Sequence, residues 1–442
     1  MLHLNAFSQC TPHSQAIGQW KNPLDKMSLG YLDLVMWTHI AKTLERGCLD
    51  ALFLADIHGI YDGYAGSRNA SLTHAVQVPG SDPLLMVSAL AAATKNIGFA
   101  CTYSTTYHAP YECARAFSSL DHFTKGRIGW NIVTSYVKNA EYNGLGTMLP
   151  HDERYDRAEE YMEVVYKLWE GSWEEDAATR NLDTEVHSDP AKVHEINHEG
   201  EYFSVSGPHM CEPSPQRTPF LYQAGSSPRG IEFGAKHAEA IFMNFDFKNL
   251  SESKEKVRYL RERIEAHGRE PKTVKIMMPF TPIVGETDKE ALAKQLGFQN
   301  YFSTDGLLAL FAGHTGIDLH DQDPDLELHN LDSEGIRTAA KRMNGKTVRD
   351  YLSDRPVSTM VGSPKNVADK METLHEIGID GFVARPIVQP GSHEDLVDLL
   401  VPELQSRGLF RKNYVTKTLR EHYSGQKNVR TSEHHPSAEY RL

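Results

Sequence analysis

Ala51-Leu52-Phe53-Leu54-Ala55-Asp56 is an unbroken apolar run closed by a carboxylate. A strand with one wet face alternates apolar and polar side chains, whereas a strand covered on both faces does not. The run therefore reads as a buried parallel strand with Asp56 at its exit. Similar runs recur outward from it, at 2–7, 97–104, 127–135, 220–224, 240–245, 274–284 and 381–384. Amphipathic stretches separate them. The first, 31–45, carries Leu32, Leu34, Val35, Ile40 and Leu44 at helical spacing and stops near Gly47. Others cover 84–93, 111–123, 152–170, 227–237, 252–267, 289–296, 365–376 and 393–405. Asp82-Pro83 supplies a cap and a first-turn proline for the second helix. Eight strands alternating with helices predict one (β/α)8 TIM barrel. A doubly wound open sheet is the competitor; it has fewer repeats, and no GxGxxG follows the first strand.

In such barrels the working groups sit in the loops after the strands. Long insertions are expected at about 57–81, 136–150, 171–218 and 302–360, all within a barrel unit covering 1–415. Loops beyond about 15 residues in a compact domain usually serve as lids or binding elements. The polar tail, 416–442, is expected to wrap the surface or a partner subunit.

The 442 residues hold 46 basic and 59 acidic side chains, for a net charge of −13. That balance disfavours nucleic acid and anionic membranes as partners. The apolar runs fall short of the ~18 residues needed to span a bilayer. The first residues lack a basic region followed by an apolar one, so no secretory signal is expected. Five scattered cysteines, with no CxxC pair, fit reduced thiols in a cytoplasmic protein.

Several motifs carry chemistry. His194-Glu195-Ile196-Asn197-His198 matches HExxH, but zinc needs both histidines on one helical face. The stretch lies between Pro190 and Gly200 in a polar insertion, so it reads as a loop, and no metal is expected. Gly225-Ser226-Ser227-Pro228-Arg229-Gly230 ends a strand and opens a helix. Ser226 and Ser227, with the first helical N–H groups, could take a phosphate or simply cap the helix. His151-Asp152-Glu153-Arg154-Tyr155 opens the long helix, where the dipole also favours anions. Asn131, Val133 and Ser135 share one face of the fourth strand, and a buried amide there must find partners. Thr105 and Thr106 close the third strand.

With these residues in place, the chain resembles the bacterial-luciferase-like flavin monooxygenases. Within them it is similar to the nitrilotriacetate monooxygenase group, on the branch of long-chain alkane and dimethyl sulfide monooxygenases. The resemblance runs through Leu4-Asn5-Ala6-Phe7, Phe53-Leu54-Ala55-Asp56, Ser104-Thr105-Thr106-Tyr107, Trp130-Asn131-Ile132-Val133-Thr134-Ser135, residues 151–155, Glu212-Pro213-Ser214-Pro215-Gln216-Arg217-Thr218-Pro219 and Val401-Pro402-Glu403-Leu404. It implies a luciferase-type barrel that uses reduced FMN as cosubstrate. It also implies a separate NAD(P)H:flavin reductase, and a homodimer or homotetramer. Carried over residue by residue, the flavin ring lies near Asp56, Thr105, Asn131 and Ser135. The phosphate is held by Tyr155, Ser226 and Ser227, with His151 by the ribityl chain. The implied reaction passes one oxygen atom from O2 to a small organic substrate by way of a flavin peroxide.

Departures from the family pattern shape the substrate expectation. Ile17 precedes the matching Gly18 and Trp20 where relatives often have histidine. Tyr136, and the apolar Gly306-Leu307-Leu308-Ala309-Leu310, also replace histidines. The pocket is thus less basic, which points to an apolar, alkane- or organosulfur-like substrate rather than a polyanion. His13, Tyr61, Gln77 and Tyr136 are the pocket candidates, His13 being equally readable as a structural histidine. Two other readings keep the barrel: a deazaflavin-dependent hydride-transfer enzyme, and a flavin-binding protein without catalysis.

Overall fold

The computed structural model describes residues 1–13, 15–135, 138–144, 148–323, 325, 347 and 359–442. Strands β1 (His3–Gln9), β2 (Ala51–Ala55), β3 (Gly98–Ser104), β4 (Ile128–Val133), β5 (Phe220–Gln223), β6 (Ala240–Phe242) and β7 (Lys275–Val284) pair in chain order, all parallel. Strand β8 (Thr359–Gly362) pairs only with the outer half of β7. Strand β9 (Gly381–Ala384) lies between β7 and β1 and closes the ring. Closure excludes the open doubly wound sheet. Eight strands form the barrel, and the ninth is an edge on a strand too long for it.

The helices form by the expected local rules. Helix α1 (Leu34–Arg46) is capped by Asp33, which accepts from Val35 N, and buries Trp37, Ile40, Ala41 and Leu44. Each such large apolar side chain contributes roughly 1.5–3 kcal/mol by leaving water. Asp82 caps the turn Pro83–Met86 that leads into α2 (Val87–Ala93). Helices α3 (Pro110–Thr124) and α4 (His151–Gly171) follow β3 and β4. After β5 and β6 come α5 (Pro228–His237) and α6 (Leu250–Ala266). Helix α7 (Asp288–Gln299) follows β7. The region after it, read from sequence only as an insertion, contains α8 (Thr304–Thr315). Helix α9 (Pro364–Glu376) precedes β9. The expected helix at 393–405 is three consecutive helical segments, with a π turn at Leu396–Leu400. No described helix is long and apolar enough to cross a membrane.

The barrel interior holds Phe53, Ala100, Phe220, Tyr222, Phe242, Met277 and Val383. The tail departs from expectation here. Its short helix Leu419–Ser424 inserts Leu419 and Tyr423 into this same cluster. The Tyr423 hydroxyl donates to Asn5 Oδ1 at 3.0 Å and lies 3.3 Å from the Tyr222 hydroxyl. A Cβ at Gly98 or Gly129 would come within 2.6 and 2.9 Å of Leu419. These glycines at the strand starts leave room for the tail to plug the barrel floor. The opposite, C-terminal mouth therefore carries the open cavity.

Candidate functional site

The strand exits define one mouth. Asp56, leaving β2, lines a cavity of about 410 Å³ with Gln9, Thr11, His58, Gln77 and Asp82 among its walls. Burial, and then the nearby charge of Asp82, push the Asp56 carboxyl up to about 7. It is therefore about half protonated at neutral pH and able to donate as well as accept. His58 Nδ1 lies 3.8 Å from Asp56 Oδ2. Burial lowers the His58 pKa and pushes that of His108 down to about 4, so both rings are neutral. His108 stacks on Tyr103 with ring centres 3.7 Å apart, and its Nε2 is buried without a partner.

The exits of β3 and β4 continue the rim. Thr105 is buried; its N–H and hydroxyl both donate to Val133 O, at 3.0 and 3.3 Å, and its own carbonyl accepts from Arg157. Ser135 has a φ of 58° and pairs with Ser104, Oγ to Oγ, at 2.7 Å. Asn131 points into the barrel and donates to Thr102 Oγ1 at 2.8 Å, while its Oδ1 is buried without a partner. The structure thus brings Asp56, Thr105, Asn131 and Ser135 to one rim. Tyr136 lies outside the described residues.

A second cluster forms where β5 passes into α5. Ser227 is the N-cap and accepts from Gly230 N at 3.1 Å. The Tyr155 hydroxyl from α4 bonds to Thr134 and Ser227, and burial raises its pKa. A Cβ at Gly225 or Gly230 would lie 3.0 or 2.7 Å from that hydroxyl. Ser226 stands between them, half-buried. His151 packs its ring against Tyr155 at 5.3 Å and bonds through Nδ1 to Asp152. Gln223 Oε1 is buried beside the cluster without a partner. A helix start, three hydroxyls and two glycines with no room for a side chain make a cradle for a phosphate. The Asn131 oxygen, orphaned inside the barrel, awaits a hydrogen-bond donor there. The residues present fit a flavin mononucleotide.

The remaining candidates divide. Tyr61 donates to Gln77 Oε1 at 2.9 Å, and Gln77 lines the cavity. Helix α8 roofs them: Leu307 and Leu310 pack with Ile17, Tyr61 and Val76. A Cβ at Gly313 would lie 2.2 Å from the Tyr61 ring. His13 stands apart from the cavity wall, fully buried. Its Nε2 donates to Ile387 O at 2.6 Å, its Nδ1 accepts from Ala16 N at 3.1 Å, and burial pushes its pKa down to about 4. Both ring nitrogens are used, which is the structural alternative. The HExxH stretch is not helical: Asn197 has a φ of 43° and His198 starts a two-residue strand. His194 pairs with Glu174 and His198 with Glu160.

The sequence reading missed Gln9, Thr11, His58, Asp82 and His108. Gln9 ends the first strand and Thr11 lies two residues beyond it, the same signal that marked Asp56. Asp82 was legible only as a cap. The histidines needed the loops' paths.

Comparisons with known proteins agree with this geometry. The luciferase-like monooxygenase family model matches residues 27–381. The chain is 47% identical to a long-chain alkane monooxygenase of Geobacillus thermodenitrificans (strain NG80-2), covering 100% of this chain and 98% of that one. It is 44% identical to a dimethyl-sulfide monooxygenase of Hyphomicrobium sulfonivorans, over 99% and 93% of the two chains. The crystal structure of a riboflavin lyase with modified FMN and riboflavin superposes with a TM-score of 0.94, at 37% identity and full coverage of both chains. The chain belongs to the luciferase-like monooxygenase family and is a flavin-dependent monooxygenase.

Proposed function

We propose that this enzyme takes reduced FMN from a separate NAD(P)H:flavin reductase and, with O2, inserts one oxygen atom into a small, largely apolar substrate of alkane or organosulfur type. It works in the cytoplasm as a homodimer or homotetramer. The observation that carries the reading is one mouth holding two parts. The Tyr155–Ser227–Gly230 cradle lies on one side. The Asp56 cavity, whose lining residue Ile57 packs against the α8 cluster, lies on the other.

In this reading Tyr155, Ser226 and Ser227 hold the phosphate, and His151 lies by the ribityl chain. Asp56, Thr105, Asn131 and Ser135 orient the ring. Reduced FMN, when bound, supplies the electrons that activate O2. The chain does the rest: Leu307, Leu310 and Ile17 exclude water from the reacting space, and a half-protonated Asp56 holds a proton at its edge.

Anaerobic titration with oxidised and reduced FMN, followed by mixing with isotopically labelled O2, tests it. Tighter binding of the reduced form and label in the product are expected. Equal binding of both forms with no oxygen uptake would transfer the case to hydride transfer by a deazaflavin.

A further inference from the structure

The cavity beside Asp56 is lined on one side by Ile57, which packs against the α8 cluster, and by Ile60 and Val78, and has a polar inner wall. That wall comes from the end of β1, where Gln9 pairs in register with Ala55, the residue before Asp56. Gln9 and Thr11 are each 3% exposed. Gln9 Oε1 and Thr11 Oγ1 both lie buried with no hydrogen-bond partner, and both residues line the cavity. A buried polar atom left unpaired costs roughly 1–3 kcal/mol. Two of them beside one cavity mark a place where a ligand completes the bonding.

The surrounding groups define what that ligand carries. Asp56 and Asp82 face the same space, and Asp82 Oδ1 already accepts from Leu84 N at 2.8 Å. His58 lines it as a neutral ring, and His108 stands behind His58 with ring centres 5.2 Å apart. Among the described lining residues the one cation is Arg68, on the exposed rim. At the inner end Gln9 Oε1 can only accept, and Thr11 Oγ1, Asp56 and Asp82 offer further acceptor oxygens. The phosphate cradle at β5 lies four strands round the barrel from β1. A flavin reaching from the cradle to Asp56 leaves the β1 wall to the other reactant.

We propose that this cavity narrows that substrate class to molecules whose alkane- or organosulfur-like body carries an N–H donor group, presented to Gln9, Thr11 and the Asp56–Asp82 pair while the body lies against Ile57, Ile60 and Val78. A carboxylate or sulfonate head meets like charge there. A bare hydrocarbon leaves both orphaned atoms unpaired, and sites built to hydrogen-bond discriminate strongly against analogues that cannot. The inference rests on the monooxygenase reading for turnover alone, since binding requires no oxygen chemistry.

The test is binding by the full chain loaded with oxidised FMN, using hexanamide, hexylamine, hexanoate and n-hexane. Hexanamide or hexylamine should bind at least about tenfold tighter than both other probes, a difference of ~1.4 kcal/mol. The better of the two identifies the donor as a neutral amide or a cationic amine. Gln9→Leu and Thr11→Val should each shrink the preference to within about threefold, with FMN affinity measured alongside to show that the protein is folded. Hexanoate or n-hexane binding as tightly as both N–H probes would overturn the proposal. So would a preference that survives both substitutions. Failure of the monooxygenase reading would appear separately, as no oxygen uptake with reduced FMN, and would leave this binding order intact.

Discussion

His58 Nδ1 stands 3.8 Å from Asp56 Oδ2 on the loop that leaves β2, too far for a direct hydrogen bond and close enough for one rotamer change or one water to join them. The ring is neutral, so it does nothing to hold Asp56 ionised. Burial and Asp82 dominate and carry the carboxyl from 3.8 to about 7.

That rise makes a stability prediction with a definite sign. Between about pH 4 and 7 the folded protein keeps a proton that the unfolded chain has lost. Stability contributed by Asp56 therefore falls as pH rises through this window. At ~1.36 kcal/mol per pH unit the full effect is at most ~4 kcal/mol, and the 21% exposure of the side chain reduces it. Asp56→Asn should remove this slope. In urea unfolding without flavin, the variant should match the parent near pH 4 and exceed it at pH 8. Parallel curves across the range would refute the assignment.

Gly230 faces the Tyr155 hydroxyl so closely that an added Cβ would sit 2.7 Å away. Gly230→Ala should push Tyr155 out of the cradle. We expect the Kd for FMN to rise at least ~10-fold, while riboflavin, which has no phosphate, binds as to the parent. Tyr155→Phe keeps the ring and loses the one hydrogen bond offered to the phosphate, worth ~1 kcal/mol, so its effect on FMN should be nearer fivefold. Fluorescence titration with the two flavins measures both. An equal loss for riboflavin would show that the cluster shapes the pocket without holding phosphate.

The barrel was legible because its strands are continuous apolar runs, and Ala51–Ala55 and Gly381–Ala384 fall where the sequence places them. The Ser227 cap was legible because serine before proline at a helix start has a local signature. What escaped the sequence was non-local. Strand β8 is an edge four residues long with no period of its own. Helix α8 was hidden because it is apolar nearly all round, packed against Ile17 of the N-terminal loop and Tyr61 and Val76 of the loop after β2. The tail's role depends on Gly98 and Gly129, far away in the chain, leaving space for Leu419. Gln9 and Thr11 could have been found by asking of β1 what was asked of β2.

Helix α8 closes on Tyr61 through Gly313, where an added Cβ would come within 2.2 Å of the ring. Gly313→Ala must displace the helix or the tyrosine, and Tyr61 holds Gln77 at 2.9 Å. Overpacking of this kind costs typically 1–3 kcal/mol. Alanine's better helix propensity returns up to ~1 kcal/mol. A net fall in Tm of a few degrees is expected, together with more hydrogen peroxide released per reduced FMN consumed, because the roof no longer seals. Unchanged peroxide release with a lowered Tm would confine α8 to a structural role.

Leu419 makes the sharpest test of the tail as a barrel floor. The side chain is fully buried and sits against Gly98 and Gly129 at the starts of β3 and β4. Leu419→Ala should therefore fall toward the upper end of the 2–5 kcal/mol expected for such truncations. Tyr423→Phe removes the bonds to Asn5 and Tyr222 and leaves Asn5 more exposed to an unpaired state, costing about 1–3 kcal/mol. The two residues share one cluster, so the double variant should deviate from additivity. Urea unfolding measures all three. If Leu419→Ala cost under 1 kcal/mol, the barrel would be stable without its plug, and the tail would be an ornament of the floor rather than part of the core.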